Sequence, residues 1–188
     1  MKIQNIEELI NQNVKILESQ STFLIIEFKN DSYRIDFEDK TEFLLKKGTI
    51  GKLNIESENP LLINYQENFV ITYINSPFEN PEKILDDLRE IINSETHNTR
   101  NWKSYFESKP INLTLEIIKN NIKNGHGKFC EAPISISKKI VEYCDSLNIK
   151  TKTFYEKNYE IKPYKILSIE NNYVIAMNFK LHIEKGFS

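Results

Sequence analysis

Apolar residues change their spacing several times along this 188-residue chain, and each change predicts an element. Ile3, Ile6, Leu9 and Ile10 recur at helical spacing, which predicts a short amphipathic helix over 3–12. TFLIIEF at 22–28 is a nearly continuous apolar run, the pattern of a strand covered on both faces. Turn chemistry follows at Asn30, Asp31 and Ser32, and then YRIDFE alternates, with Tyr33, Ile35 and Phe37 on one face and Arg34, Asp36 and Glu38 on the other. The two runs predict an antiparallel hairpin. Further strands are expected at 41–46, 50–56 and 69–75, the last rich in β-branched and aromatic residues.

The period then becomes helical. Asn80 is a capping residue, Pro81 suits the first helical position, and Ile84, Leu85, Leu88, Ile91 and Ile92 form one stripe. The opposite face carries Lys83, Asp86, Asp87, Arg89 and Glu90; adjacent carboxylates point about 100° apart on a helix, so they read as a solvated face with a Lys83–Asp87 ion pair. Trp102, Tyr105 and Phe106 mark a second helical piece. A third helix starts near Asn112, turns Leu113, Ile117, Ile118 and Ile122 inward and stops at Asn124-Gly125. Ile140, Val141, Cys144 and Leu147 mark a fourth, capped by Ser135 or Ser137, before strands at 150–156, 164–170 and 173–183, with Asn171-Asn172 as a hairpin turn. The class is α+β: an N-terminal antiparallel β-meander, central helices, and a C-terminal helix followed by antiparallel strands. With no Gly-, Ser- or Pro-rich linker, 1–188 reads as a single domain; a lobed chain would divide into 1–78 and 79–188.

Composition changes this picture little. Hydrophobic residues make up 39% and charged residues 28%, as in ordinary globular proteins. The start carries no apolar run behind basic residues, no stretch approaches the roughly 20 apolar residues of a membrane span, and a count of two cysteines fits a reducing compartment, where thiols stay free, so the expectation is a cytoplasmic protein with no membrane partner. Charge adds one asymmetry. Residues 1–94 carry 10 Lys+Arg against 17 Asp+Glu, and residues 95–188 carry 15 against 10, a split that either polarises the surface towards a charged partner or scatters over all faces.

Candidate chemistry concentrates in NGHGKFCEAP (124–133). A phosphate-binding loop is excluded: the glycines are two apart, a helix precedes them, and Phe129 follows the lysine. A dinucleotide fingerprint lacks its third glycine and its strand. His126 and Cys130 are four apart, close enough for a base to activate a thiol nucleophile, whereas Phe129 and Ala132 beside Cys130 suit a buried small hydrophobe. His97, His126 and His182 are scattered and no Cys-x-x-Cys pair exists, so neither metal nor cofactor is expected. As structure, the segment reads as a helix–helix connector: Gly125 ends one helix, Gly127 reverses the chain, Phe129 enters the core, and His126 and Lys128 form a wet tip. Arg100 and Lys103, interleaved with Trp102, Tyr105 and Phe106, are a second candidate binding patch beside a core-packing reading. The sequence pI of about 6.0 argues against a nucleic-acid partner.

In order, NPLLINY (59–65), YINSPFENP (73–81), NWKSYF (101–106), NGHGKFCEAP (124–133) and NYVIAMNF (172–179) resemble a loosely defined group of small uncharacterised bacterial α+β proteins, some similar to immunity proteins that cover a cognate toxin's active site. Cys130 departs from that pattern, where an aliphatic residue is usual. The resemblance carries over no functional residue, but implies a protein partner, a toxin in its sharpest form. The expectation is therefore a non-catalytic, cytoplasmic protein-binding protein with His126, Lys128, Arg100 and Lys103 as contacts. The alternative is a cysteine-dependent enzyme using Cys130 with His126.

Overall fold

The computed structural model describes residues 3–107, 113–155 and 161–183. In chain order the strands and helices are β1 (Asn13–Ser19), β2 (Phe23–Phe28), β3 (Asp31–Glu38), β4 (Glu42–Leu44), β5 (Ile50–Glu56), α1 (Ile63–Gln66), β6 (Phe69–Ile74), α2 (Pro81–Glu95), α3 (Leu115–Asn124), β7 (Gly127–Pro133), α4 (Ile134–Ser146), β8 (Thr151–Tyr155), β9 (Lys165–Ile169), β10 (Asn172–Ala176) and β11 (Asn178–Ile183). Short 3₁₀ turns lie at Ile6–Leu9, Pro60–Leu62 and Trp102–Tyr105. The architecture is α+β, with an N-terminal antiparallel sheet, central helices and C-terminal strands. The chain forms two compact units, one of residues 1–62 with 162–188 and one of residues 63–161 inserted into it. Residue 78 lies inside the second unit.

In the first unit β2 and β3 form the expected hairpin, and β1, for which no strand was expected, extends it to a three-stranded meander. Lys29 and Asn30, at φ 50° and 66°, make the two-residue turn between β2 and β3, the left-handed pair that a tight hairpin needs. The strand order is β11-β3-β2-β1-β5-β9-β10-β4, antiparallel throughout. Its two ends belong together. β3 and β4 are successive lengths of one bent strand, and so are β10 and β11. Hydrogen bonds from Met177 N to Glu38 O (2.9 Å) and from Thr41 N to Ile175 O (2.9 Å) carry the pairing across the bend. The circuit therefore closes as a six-stave antiparallel barrel, in which β4 and β11 each have one strand partner among the described residues. Ile16, Leu24, Ile26, Ile35, Leu53, Leu167, Ile169 and Val174 are fully buried in its core cluster.

Several expectations need correcting here. The helix expected over 3–12 is a 3₁₀ turn, closed by a capping box between Asn5 and Glu8, and β1 begins directly after it. The strand expected over 173–183 is two strands with different partners, β10 on β9 and β4 and β11 on β3. The β9–β10 turn sits one residue earlier than expected, since Ile169 pairs with Asn172.

The second unit is a three-stranded antiparallel sheet, β7-β6-β8, with helices on one face. α2 follows the predicted pattern: Asn80 Oδ1 accepts from Lys83 N at 3.1 Å, and Ile84, Leu85, Leu88 and Ile92 are buried. Thr114 caps α3; Asn112, expected near its start, lies outside the described residues, as does residue 156 of the expected strand 150–156. α3 ends at Gly125, whose φ of 72° is left-handed. The cap expected from Ser135 or Ser137 on α4 comes from another element, since the Glu67 carboxylate accepts from Ser135 N at 2.7 Å. Trp102 to Tyr105 form only a 3₁₀ turn, and Phe106 packs edge-on against Phe129 at 5.7 Å. The main correction concerns residues 124–133: beyond Gly125 and His126 the connector is β7, paired with β6 over its whole length.

Candidate functional site

On β6 the period of two divides the side chains cleanly. Val70, Thr72 and Ile74 are buried under the helices, and Ile71 and Tyr73 face the other way. Register then decides what surrounds them. β8 sets Lys152 opposite Tyr73 and Phe154 opposite Ile71, while β7 sets Lys128 opposite Tyr73 and Glu131 opposite Ile71. The result is a groove of about 400 Å³ on the outer face, bordered by Asn75, His126 and Gly127. Tyr73 and Phe154, 37% and 45% exposed, meet edge to face at 5.5 Å. The Lys152 ammonium stands 4.8 Å from the centre of the Phe154 ring.

The rim is held by tight local geometry. Gly127 has φ 124°, and a Cβ there would come within 2.5 Å of the Asn121 side chain. That side chain is itself fixed, donating from Nδ2 to Lys128 O at 2.8 Å. Asn121 O accepts from His126 N at 3.2 Å, and the imidazole Nδ1 donates to Asn124 O at 3.3 Å, leaving His126 exposed at the edge of the groove. Lys128 is not the wet tip expected of it: its ammonium is ion-paired with Glu131 and its side chain only 13% exposed. Among the described residues Lys152 makes no ion pair, and no carboxylate lines the groove.

Cys130 belongs to the other side of the sheet. It is fully buried, pairs with Thr72 across the strands, and burial pushes its thiol up to about 12. Burial also pushes Cys144 up to about 12. Among the described residues no hydrogen bond joins Cys130 to His126. Arg100 and Lys103 do not line the groove. Arg100 lies over the Tyr65 ring at 5.5 Å, and Lys103 is exposed on the 3₁₀ turn, whose neighbouring Tyr105 hydroxyl donates to Asn64 Oδ1 at 2.9 Å. On α2 the carboxylates have separate partners: Arg89 reaches Asp86 at 3.5 Å and Glu90 at 3.2 Å, and Asp87 accepts from the Tyr143 hydroxyl at 2.6 Å instead of pairing with Lys83. Among the described residues no group of three His, Cys, Asp or Glu side chains is placed to hold a metal. No helix among them is long and apolar enough to cross a membrane.

The charge asymmetry does not survive the fold. The barrel unit carries 12 Lys+Arg and 13 Asp+Glu, and the inserted unit 13 and 14, so each has a net charge of −1. Sequence reasoning found His126 but missed Tyr73, Lys152 and Phe154. Their signal was the alternation of two separate strands, which shows that residues share a face without showing which face stays uncovered.

No protein-family model matches the chain, and neither a curated protein nor a solved structure does. What the fold and the groove define is a two-unit α+β chain with an uncovered aromatic sheet face.

Proposed function

We propose that this is a non-catalytic, cytoplasmic protein-binding protein that engages its partner through the outer face of the three-stranded sheet, and that neutralising a bacterial toxin is the specific form of this role. The observation that carries the reading is the exposed Tyr73–Phe154 pair beside Ile71. Large aromatic side chains on an open surface supply most of the binding energy at protein interfaces, because they remove much apolar area from water and lose little conformational freedom. The alternative, an enzyme using Cys130 with His126, draws no support from a fully buried thiol that stays protonated at neutral pH. The sequence pI of about 6.0 supports a protein partner over a nucleic acid.

The test is co-expression with the product of any toxin-like open reading frame that lies beside its own. Protection of the cells, lost in Tyr73→Ala/Phe154→Ala with an unchanged thermal midpoint, supports the reading. Protection that persists in the double variant sinks the assignment of this face, and cells killed despite ample soluble protein sink the toxin form.

A further inference from the structure

The groove is apolar in its walls and cationic at its lip, and that combination narrows what fits it. Resting on the reading that this face meets the partner, we infer that the groove takes an acidic, apolar stretch of the partner's chain: a large apolar side chain seated against Tyr73 and Phe154, with a neighbouring carboxylate on the Lys152 ammonium. Two observations carry this. The Lys152 ammonium is held above the Phe154 ring and makes no ion pair among the described residues. Covering the groove with a neutral partner would strip water from that ammonium and give it nothing in return, a cost that a carboxylate removes. The carboxylate nearest in register, Glu131 opposite Ile71, is already engaged by Lys128 and cannot serve as an internal counter-charge.

A basic segment fits badly for the same reason. It would bring a second cation against Lys152 beside the His126 imidazole, with no carboxylate in the lining to offset it. Size points to a short stretch of chain. At about 400 Å³ the groove lies near the lower end of the roughly 300–1,000 Å³ typical of ligand pockets, which suits a few side chains. The ring pair supplies contact and Lys152 supplies selection. On an extended segment the carboxylate and the apolar side chain belong two residues apart, because Lys152 and Phe154 are two apart on one strand face.

The experiment uses the full-length protein, isotopically labelled, titrated with three blocked peptides that share the frame Gly-Leu-Gly-X-Gly, where X is Glu, Gln or Lys. The Glu peptide is expected to shift the backbone amides of Ile71 to Asn75, of His126 and Gly127, and of Lys152 to Phe154, saturably and with millimolar affinity. The Gln peptide should bind about tenfold more weakly, a step of about 1.4 kcal/mol, and the Lys peptide more weakly still. Lys152→Glu should invert the order of the Glu and Lys peptides, and Phe154→Ala should weaken all three. Equal binding of the three peptides at these amides overturns the acidic selection and leaves this face standing as a partner surface. Shifts confined to other parts of the protein overturn the inference, whereas the wider reading fails separately, if the Tyr73→Ala/Phe154→Ala variant still protects cells.

Discussion

Alkylation of the two thiols tests the placement of β7 most directly. Cys130 and Cys144 are fully buried, and burial raises each thiol from 9.0 to about 12. The thiolate is the reacting species, so three pH units reduce its fraction about a thousandfold near neutral pH relative to an ordinary cysteine. Exclusion of the reagent slows the reaction further, because the chain must open before either sulfur is reached. Folded protein treated with iodoacetamide near neutral pH should therefore gain carbamidomethyl groups at least a thousandfold more slowly than the same protein in concentrated guanidinium, where both thiols label promptly. Intact-mass spectrometry follows the count, and digestion assigns the site. One thiol that labels in the folded protein as fast as in denaturant, and is slowed by His126→Ala, would refute the buried strand and support a catalytic pair.

Three further outcomes follow from the same packing. Between pH 9 and 12 the unfolded chain releases the thiol protons and the native one keeps them, so the thiols' contribution is fully present below pH 9 and lost as pH rises towards 12. Cys130→Ala/Cys144→Ala should flatten the alkaline loss of stability by up to about 1.4 kcal/mol per pH unit for each thiol, read from guanidinium midpoints; identical slopes would contradict the burial. Gly125→Ala should cost at least about 1–2 kcal/mol, since φ is 72° and the new Cβ would lie 2.3 Å from Pro77 N, and an unchanged midpoint would count against this helix end. Phe129→Ala, which empties a fully buried site against Phe106, should cost about 3–5 kcal/mol in thermal or denaturant unfolding, and a loss below about 1 kcal/mol would place the ring outside the core.

Local signals were legible wherever one residue forces the backbone. Asn80 and Pro81 start α2, Gly125 stops α3, and the alternation through Tyr33 and Ile35 gives β3. Two bulges hid strands. In β7 the register slips where Thr72 pairs with Cys130 and Tyr73 with Lys128, so Phe129 is an extra residue and two neighbours, Phe129 and Cys130, are both buried. A strand with consecutive inward residues has no period of two, and glycines at its start complete the likeness to a loop. β1 has a similar slip between Ile16 and Glu18, which cuts short the alternation begun by Val14 and Ile16.

The barrel closure and the groove were illegible for a deeper reason, since both depend on which face or partner wins over long range. At Met177 the inward phase changes: Val174 and Ala176 belong to the core before the bend and Phe179 after it. Apolar residues stand at both phases through Tyr173 to Phe179, so an unbroken strand reads equally well from the pattern, and only the bend of β3 into β4 on the facing chain decides against it. The groove follows the same logic. Ile71 and Tyr73 are large and largely apolar like Val70 and Ile74, apart from the Tyr73 hydroxyl, yet α4 packs on the other face, where the Ser137 hydroxyl meets Thr72 at 3.0 Å. A buried threonine needs that partner, whereas an exposed tyrosine hydroxyl has water. The polar group on each face of β6 is thus satisfied where it stands, and Thr72→Val, which takes this partner from the buried Ser137 hydroxyl, should cost about 1–3 kcal/mol in denaturant unfolding, an unchanged midpoint counting against the contact.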